Sequence, residues 1–551
     1  MKKLFFIALT AFLIQILSIT AFASNTDFDD IPKGHWAYEY VNKMRSLNIT
    51  EGVGDNNFGA GQSITKAEFT TFLCKLMDYE ISSPETGSFS DNMDKSKWYF
   101  PYVETALNHG IITSENGQFF PLTNITRQEI AIMIIRALSL DELAKGLNKD
   151  GSPFHDVTEN AGYITIAKDL GIVSGMGDNS FMPAAQATRE QAAVMMIGMH
   201  NIMLKGTKDI NGFYAIKSNS QKDVISMVDY TSFGWARLEA GAGDIFLNIT
   251  SQNNNEYRIP EGFSDPYGMA KEKLIFVSVK DEDSRAIIND TALRQKAAVL
   301  IGDAVNNGIT HNGNTLTFDG VVVDFETLKG SETKNSFNSF LRDLRGIVGN
   351  KKIFTAVHPE RRTGLEYYNG YDFKTIGELS DKVILMAHDY NPKKLSADEM
   401  EQNLTTTPLS PINEIYYALK AITDKSTGVS DKSKIMLQLS FGTCQWKSIN
   451  NKIINETPFT PDYDALISRI KTDPSAEIKY SKTYESPYIV FKNTLDGTDN
   501  IIWYEDTRSI AAKLKLARLF GIEDISLWRL GTIPDYEKEY YLNVKEYLFN
   551  N

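Results

Sequence analysis

The chain has 551 residues, 42% of them hydrophobic, and a formal net charge of −13 at pH 7. This length exceeds that of an ordinary single domain, so we expect several domains. The acidic excess disfavours nucleic acid as a partner held by bulk electrostatics. The only cysteines, Cys74 and Cys444, lie far apart, which excludes a disulfide scaffold and a Cys/His zinc site. We expect no metal ion and no other cofactor.

The first residues have the pattern of a secretory signal peptide. Two lysines precede an apolar stretch, Leu4 to Phe22, which closes in the small-residue pattern Ala-Phe-Ala. We expect cleavage before Ser24, so that residues 1–23 leave the mature protein. The alternative is an uncleaved membrane anchor, although the apolar run is barely long enough to span a bilayer. No later stretch is apolar enough to cross a membrane, so we expect no span after cleavage.

Three segments then repeat one pattern, which consists of an aspartate, an aromatic residue, a turn and a threonine-led motif. The recurring positions are Asp30, Asp91 and Asp156, then Trp36, Trp98 and Tyr163, then Thr65, Thr126 and Thr188. In each repeat the pattern predicts two helices joined by a turn, and the second helix begins after the threonine. Thr65 with Glu68, and Thr126 with Glu129, fit a capping box. Because so small a unit cannot bury its apolar faces alone, we expect an all-α, trimer-like module.

The repeats resemble S-layer homology domains, and we place these at 24–80, 86–146 and 151–205. The resemblance implies that a secreted protein is attached to the bacterial cell wall or S-layer through a pyruvylated secondary cell-wall polymer. A guanidinium suits such an acidic sugar because it offers paired donors to a carboxylate. The implied polymer-binding residues are Asp30, Trp36, Lys66, Asp91, Trp98, Arg127, Asp156 and Arg189.

Two features of the repeats leave alternatives open. Lys66 replaces the arginine of the first repeat, and Tyr163 replaces the third tryptophan, so one groove could be weak or silent. The acids and threonines could also serve only as helix caps.

From about Phe213 onward, short β-branched runs alternate with longer amphipathic stretches. This rhythm is typical of βα units around a parallel sheet. Eight or nine such runs predict a (β/α)8 barrel over residues 210–551. A small α+β insertion is expected before the last strand, with its strands at Glu477–Trp503.

The run Asp319-Gly-Val-Val-Val-Asp-Phe-Glu326 carries the strongest functional signal. Alternate residues of a strand share a face, so Val322, Asp324 and Glu326 point the same way. If that face is the barrel interior, Glu326 emerges at the C-terminal rim, where barrel enzymes place their catalysts. Two carboxylates this close should differ in pKa, which lets one of them act as an acid near neutral pH.

This run resembles the strand-four motif D-G-x-D-x-D-x-E of glycoside hydrolase family 18. The resemblance implies that Asp319, Asp324 and Glu326 are catalytic, with Glu326 as the acid that protonates the glycosidic oxygen. Asp324 would orient the substrate's own N-acetyl group, which attacks the anomeric carbon in a substrate-assisted, retaining reaction. Val322 replaces the family's middle aspartate, so the pKa of Asp324 should be set differently.

Downstream motifs supply the expected substrate-binding residues. Leu385-Met-Ala-His-Asp-Tyr390 resembles the family's M-x-Y-D motif, with His388 in the tyrosine's place. The last strands resemble the peptidoglycan-active, spore-cortex-lytic branch, in which Trp528 would form an apolar floor beneath the sugar ring. The full set is Met386, His388, Asp389, Tyr390, Trp235, Trp503 and Trp528. Core packing is the alternative role for the tryptophans, and simple space filling for His388.

Together these features predict a wall-anchored N-acetylglucosaminidase that acts on peptidoglycan. His358 is a further candidate for a polar contact with the substrate. One alternative is a chitinase that acts on external chitin. Another is a carbohydrate-binding barrel that has lost catalysis, which Val322 and His388 favour and the retention of Asp324 and Glu326 disfavours.

Overall fold

The computed structural model describes residues 27–114, 116–203, 206–241, 243–250, 258–279, 281–359, 369–403 and 407–550. The described residues form two compact units, which divide between Asn201 and Ile202. The predicted signal peptide lies outside the described residues. Within the described ranges, no helix combines the length and the apolar character needed to cross a membrane.

The first unit is helical. Its helices are α1 (Tyr38–Ser46), α2 (Lys66–Leu76), α3 (Phe100–Asn108), α4 (Arg127–Ala137), α5 (Asp141–Leu147), α6 (Ala161–Asp169) and α7 (Arg189–Met203). Both predicted capping boxes are confirmed, at Thr65 with Glu68 before α2 and at Thr126 with Glu129 before α4. These boxes explain where the second helix of a repeat begins, because each satisfies two backbone N–H groups that the helix leaves unpaired.

The three repeats meet in a closed ring of backbone hydrogen bonds. The N–H of Ile125 donates to the carbonyl of Ile64 over 2.9 Å, and the N–H of Ile64 donates to Ala187 over 3.1 Å. The N–H of Ala187 donates back to Ile125 over 3.0 Å, which completes the cycle. All three side chains are fully buried. One chain therefore builds the predicted trimer-like module, since each repeat completes the hydrogen bonding of its neighbour.

The second unit contains sixteen strands and ten further α-helices among its described residues. The strands are β1 (Ile210–Tyr214), β2 (Tyr230–Gly241), β3 (Asp244–Asn248), β4 (Glu272–Val279), β5 (Ile309–His311), β6 (Asn314–Leu316), β7 (Gly320–Asp324), β8 (Lys352–Val357), β9 (Lys382–Leu385), β10 (Ile435–Ser440), β11 (Cys444–Ile449), β12 (Lys452–Ile453), β13 (Glu477–Ser481), β14 (Ser486–Lys492), β15 (Asp499–Trp503) and β16 (Asp524–Trp528). The helices are α8 (Ser264–Met269), α9 (Asp281–Asn289), α10 (Thr291–Asn307), α11 (Gly330–Val348), α12 (Phe373–Leu379), α13 (Ala397–Glu401), α14 (Ile412–Ile422), α15 (Tyr463–Thr472), α16 (Thr507–Leu519) and α17 (Val544–Asn550).

Eight parallel strands close into a barrel, which confirms the predicted (β/α)8 fold. Their order is β1-β16-β10-β9-β8-β7-β4-β2, and β2 pairs with β1 to complete the circle. The strand β3 lies antiparallel against β2, outside the circle. Apolar side chains fill the interior, namely Phe213, Leu274, Phe276, Val322, Phe354, Ala356, Ile384, Met386 and Met436. The barrel is therefore a packed core whose C-terminal rim alone is available for a site.

The insertion before the last barrel strand is larger than predicted. It is a five-stranded antiparallel sheet, β12-β11-β15-β14-β13, together with α15. It begins at Cys444, directly after β10, whereas the sequence predicted strands only from Glu477. The strand β11 lacks the continuous apolar run of a barrel strand, since polar Gln445 and Lys447 alternate with buried Cys444 and Trp446.

A buried ion pair lies just after the insertion. The side chains of Glu505 and Lys513 are each 2% exposed, and the Lys513 Nζ donates to the Glu505 carboxylate over 2.6 Å. The Ser509 hydroxyl also donates to Glu505. Removing either partner of such a pair is strongly destabilising, because the other charge is then left buried without a counter-ion.

We expect Lys513→Ala to lower the free energy of unfolding by about 3–5 kcal/mol, because it leaves the Glu505 charge buried and unpaired. Urea unfolding, followed by tryptophan fluorescence, measures the loss. The control is Lys479→Ala, which removes an exposed pair with Glu477 and should cost less than about 1 kcal/mol. Equal losses in the two variants would contradict the role assigned to the buried pair.

Candidate active site

The C-terminal ends of the barrel strands line an open pocket. This is the end of the barrel at which ligands bind. Six of the eight barrel strands, or the residues that directly follow them, supply its walls. The lining residues are Phe213, Asp324, Glu326, Ala356, His358, Pro359, Met386, His388, Asp389, Lys393, Gln438 and Trp528.

The strand β7 delivers two carboxylates to this pocket. Val322 packs in the barrel interior, and Asp324 lies above it on the same face with 6% of its surface exposed. Glu326 follows β7 and reaches the partly exposed rim. The alternation of a strand therefore places an apolar residue, a buried acid and a rim acid in a single column.

The two acids have opposite pKa shifts. Burial raises the pKa of Asp324 well above its usual value, and the nearby charges of Glu326 and Asp281 raise it further. Burial also acts to raise the pKa of Glu326, but a hydrogen bond and the positive charge of His358, with help from Lys393, lower it overall. The Nε2 of His358 lies 3.2 Å from Oε2 of Glu326. When the pair holds one proton, Asp324 therefore carries it and Glu326 is ionised.

Two buried polar atoms beside this pair have no hydrogen-bond partner in the described part of the chain. They are Oδ1 of Asp324 and Oγ of Ser278. The residues are neighbours across the pairing of β4 with β7. A buried polar atom is costly to leave unsatisfied, so both atoms are suited to a polar group of a ligand.

On the opposite wall, His388 lies between two oxygen acceptors. Its Nε2 is 2.6 Å from Oε1 of Gln438, and its Nδ1 is 3.3 Å from Oδ2 of Asp389. Burial acts to lower the pKa of His388, but the Asp389 charge raises it overall. Burial acts to raise the pKa of Asp389, yet the His388 charge lowers it to about 2. The protonated ring thus hydrogen-bonds Gln438 through Nε2 and forms an ion pair with Asp389 on its other side.

The indole of Trp528 forms an aromatic wall of the pocket. It stands at the end of β16, where its ring meets Phe213 edge-on at a centroid distance of 5.1 Å. A second edge contact joins it to Phe276 at 6.1 Å. These contacts hold the ring at the boundary between the packed interior and the pocket, where an apolar face suits the CH groups of a sugar.

Comparison with known families accounts for both units. Residues 275–532 match the model described as glycosyl hydrolases family 18, and residues 27–70, 89–131 and 153–193 match the S-layer homology domain. The chain carries a family 18 glycosyl hydrolase domain behind three S-layer homology domains. The S-layer homology domains mark it as a cell-surface protein.

Individual relatives match one part of the chain or the other. The amylopullulanase of Thermoanaerobacterium thermosulfurigenes is 31% identical over 183 residues, which is 32% of this chain and 10% of that protein. The cortical fragment-lytic enzyme of Bacillus subtilis strain 168 is 23% identical over 261 residues, covering 46% of this chain and 53% of that one. The chain thus spans about half or less of each relative. A solved chitinase from Chromobacterium violaceum has a TM-score of 0.48 at 16% identity, covering 62% of this chain and 98% of that one.

The family 18 domain gathers most of the predicted substrate residues. Met386, His388, Asp389 and Trp528 line the pocket together with the two carboxylates. Tyr390 follows them in the chain without lining the pocket, and its N–H donates to the carbonyl of Leu409.

The structure does not bring Asp319 into the pocket. Asp319 precedes β7, and its carboxylate accepts the backbone N–H of Lys273 over 2.8 Å. Asp324 lies five positions further along the strand, a distance of about 16 Å. At the far end of β7, Asp319 joins the starts of two neighbouring strands and cannot contact a substrate at the rim.

Two predicted tryptophans also lie elsewhere. Trp235 is fully buried outside the barrel, where its ring meets Phe233, Phe263 and Tyr267. Trp503 is 3% exposed inside the insertion, against Tyr488. Core packing, the alternative role, describes both residues. A position near a strand end does not reveal which face a side chain takes, because faces alternate at every residue.

Sequence reasoning missed four residues that bear on the site. Phe213, Lys393 and Gln438 line the pocket, and the charge of Asp281 acts on both catalytic candidates. Gln438 had a signal, since it is a lone amide within the apolar strand β10. Lys393 had none, because loop lysines are common on any surface.

In the S-layer homology domains, the predicted aspartates fasten local turns. Asp30 accepts the N–H groups of Phe58, Gly59 and Ala60. Asp91 accepts those of Phe119 and Phe120, and Asp156 those of Phe181 and Met182. The aspartates therefore have a structural role in each repeat, but they fix turns and do not cap helices. By contrast, Trp36 and Trp98 are 57% and 54% exposed, which leaves their rings open to a ligand.

The predicted basic residues connect neighbouring repeats. Lys66 pairs with Glu129 at 2.5 Å, and Arg189 pairs with Glu68 at 2.6 Å. Arg127 instead donates to the carbonyls of Phe181 and Ser174. Within the described residues Arg127 forms no ion pair, because the third repeat has Gln191 where the others have glutamate. Its charge is therefore the least neutralised of the three.

We expect Asp389→Asn to lower the pKa of His388, because the carboxylate stabilises the imidazolium. The pair is complete between the ordinary pKa values of a carboxyl group and an imidazole, 3.8 and 6.5. The stability that this ion pair contributes is lost at high pH, when the pH rises through the raised pKa of His388. It is lost at low pH when the pH falls through the pKa of Asp389, about 2. A histidine-selective NMR titration measures the shift. Asp398→Asn, at an exposed site in α13, is the control, and an unchanged His388 titration would refute the coupling.

Proposed function

We propose that the protein is a wall-anchored glycoside hydrolase that cleaves an N-acetylglucosamine-containing polysaccharide, with peptidoglycan as its substrate. The observation that carries this proposal is the pairing of Asp324 and Glu326, with opposite pKa shifts, in one pocket walled by Trp528. Three S-layer homology domains on the same chain support a wall polymer as the anchor and the wall as the site of action.

One proton serves the two carboxyl groups during the reaction. An acetamide N–H that reaches Oδ1 of Asp324 favours the ionised form of that residue, because a carboxylate is the stronger acceptor. The proton then moves to Glu326, which donates it to the glycosidic oxygen as the C–O bond breaks. The acetamide oxygen attacks the anomeric carbon from the opposite face. Water then attacks the anomeric carbon of this intermediate, and Glu326 takes a proton from the water. Because the carbon is inverted twice, the configuration is retained.

The replaced middle aspartate changes the environment of this relay. Val322 belongs to the apolar interior, so no second aspartate of β7 shares the proton of Asp324. Glu326 and Asp281 are the acids whose charges act on it instead. We infer that the relay works between Asp324 and Glu326 alone.

The test of the acid is zymography on purified cell wall, with Glu326→Gln. A general acid contributes about 10²–10⁴-fold to the rate, so this variant should clear the wall at least a hundredfold more slowly. The control is Glu332→Gln, at an exposed position in the first turn of α11, which should match the wild type. Equal clearing by wild type and Glu326→Gln would reject the assignment of the acid. Binding without any clearing by the wild type would favour a carbohydrate-binding barrel.

For the anchor, we propose that Arg127 contributes the strongest contact with an acidic wall polymer, because Lys66 and Arg189 are already paired with glutamates. Arg127→Ala should weaken sedimentation of the protein with purified walls about tenfold, the usual scale of a charge-assisted hydrogen bond. Lys66→Ala should weaken it less. Gln191→Glu, which restores the acid present in the other repeats, should also reduce binding. A larger loss from Lys66→Ala would contradict this ranking.

A further inference from the structure

Among the charged residues that line the active-site pocket, one lysine lies outside the two close acid–histidine pairs. Glu326 faces His358 at 3.2 Å, and Asp389 faces His388 at 3.3 Å. Lys393 also lines the pocket, from the loop after β9, and its side chain is exposed. Within the described residues, its ammonium forms no ion pair and no hydrogen bond. The next residue, Lys394, pairs instead with Glu456 at 3.0 Å.

The ammonium of Lys393 lies within electrostatic reach of the acid that would protonate the leaving oxygen. Its charge acts on Glu326 and Asp389, which line the pocket, and on the nearby Asp281. A negatively charged group on the leaving sugar can therefore pair with this ammonium. Chitin is neutral and offers it no complementary charge.

Peptidoglycan offers such a charge only in one chemical form. In a glycan of alternating N-acetylglucosamine and N-acetylmuramic acid, each muramic acid carries a lactyl ether at O3, next to the O4 of the scissile bond. Its carboxyl group is a neutral amide while the stem peptide is attached. It becomes a carboxylate once the peptide is removed.

We propose that Lys393 binds the lactyl carboxylate of the muramic acid on the reducing side of the scissile bond. This inference rests on the proposed hydrolysis and names its preferred substrate within peptidoglycan as glycan strands that have lost their stem peptides. The reaction that supplies the substrate must then be hydrolysis of the amide between the lactyl group and the first amino acid. The pocket thereby distinguishes stripped strands both from intact wall and from chitin.

The experiment compares two substrates of equal length. One is peptide-free glycan with free lactyl carboxylates, and the other is the same glycan with those carboxylates converted to methylamides. The wild type should show a kcat/KM about tenfold higher for the free carboxylate, the usual scale of a charge-assisted contact. Lys393→Met should remove this preference. Lys394→Met, in the adjacent paired lysine, should keep both the preference and the rates.

The ratio between substrates separates recognition from a general effect of the lysine on Glu326, because a changed acid alters both rates alike. A preference that survives in Lys393→Met, or is missing from the wild type, would overturn the proposal. If the wild type cuts neither glycan, the proposed hydrolysis is rejected. The proposed role of Lys393 is then tested by calorimetry, which measures the affinity of each glycan for the Glu326→Gln variant. Tighter binding of the free carboxylate, lost in Glu326→Gln combined with Lys393→Met, would support it, and equal affinities would reject it.

Discussion

The closure of eight parallel strands is the constraint on which the active site depends. The first barrel strand pairs with both the second and the last, so residues more than three hundred positions apart share one rim. Phe213 at the start of the unit and Trp528 near its end form a single aromatic wall. Because apolar side chains fill the barrel below them, polar groups carried by these strands can meet a ligand only above that filling.

The same packed interior determines the chemistry of the two acids. Asp324 lies directly above the apolar layer and loses most of its hydration, whereas Glu326 reaches the rim and its histidine neighbour. Asp324 is therefore the protonated acid and Glu326 the ionised one, since burial disfavours the charged form of a carboxyl group and a nearby cation favours it. The wall around His388 uses a second ion pair in the same way. Lys393 lines the same pocket outside these two pairs, and for this reason we assign it a role in substrate binding.

In the S-layer homology domains, the three repeats close into a ring because each forms backbone hydrogen bonds with both of the others. Backbone hydrogen bonds link each repeat to its neighbour around the central ring, and the basic residues of the threonine motif donate between the same repeats in the opposite sense. The basic residues for which the family resemblance implies polymer binding therefore also stabilise the module. Where the acid partner is missing, as at Arg127, the same side chain has charge left for a ligand.

Local patterns in the sequence were enough to predict the repeats, their capping boxes, the barrel class and the column formed by Val322, Asp324 and Glu326. These features depend on neighbours within a few residues, where the period of a strand or the cap of a helix decides which way a side chain points. Only the tertiary structure decided that Asp319 lies at the wrong end of its strand, that Trp235 and Trp503 belong to cores, and that Lys393 and Gln438 join the pocket. Those outcomes depend on which strands become neighbours and on where the loops between them return, and both are determined by barrel closure over distances that no local pattern spans.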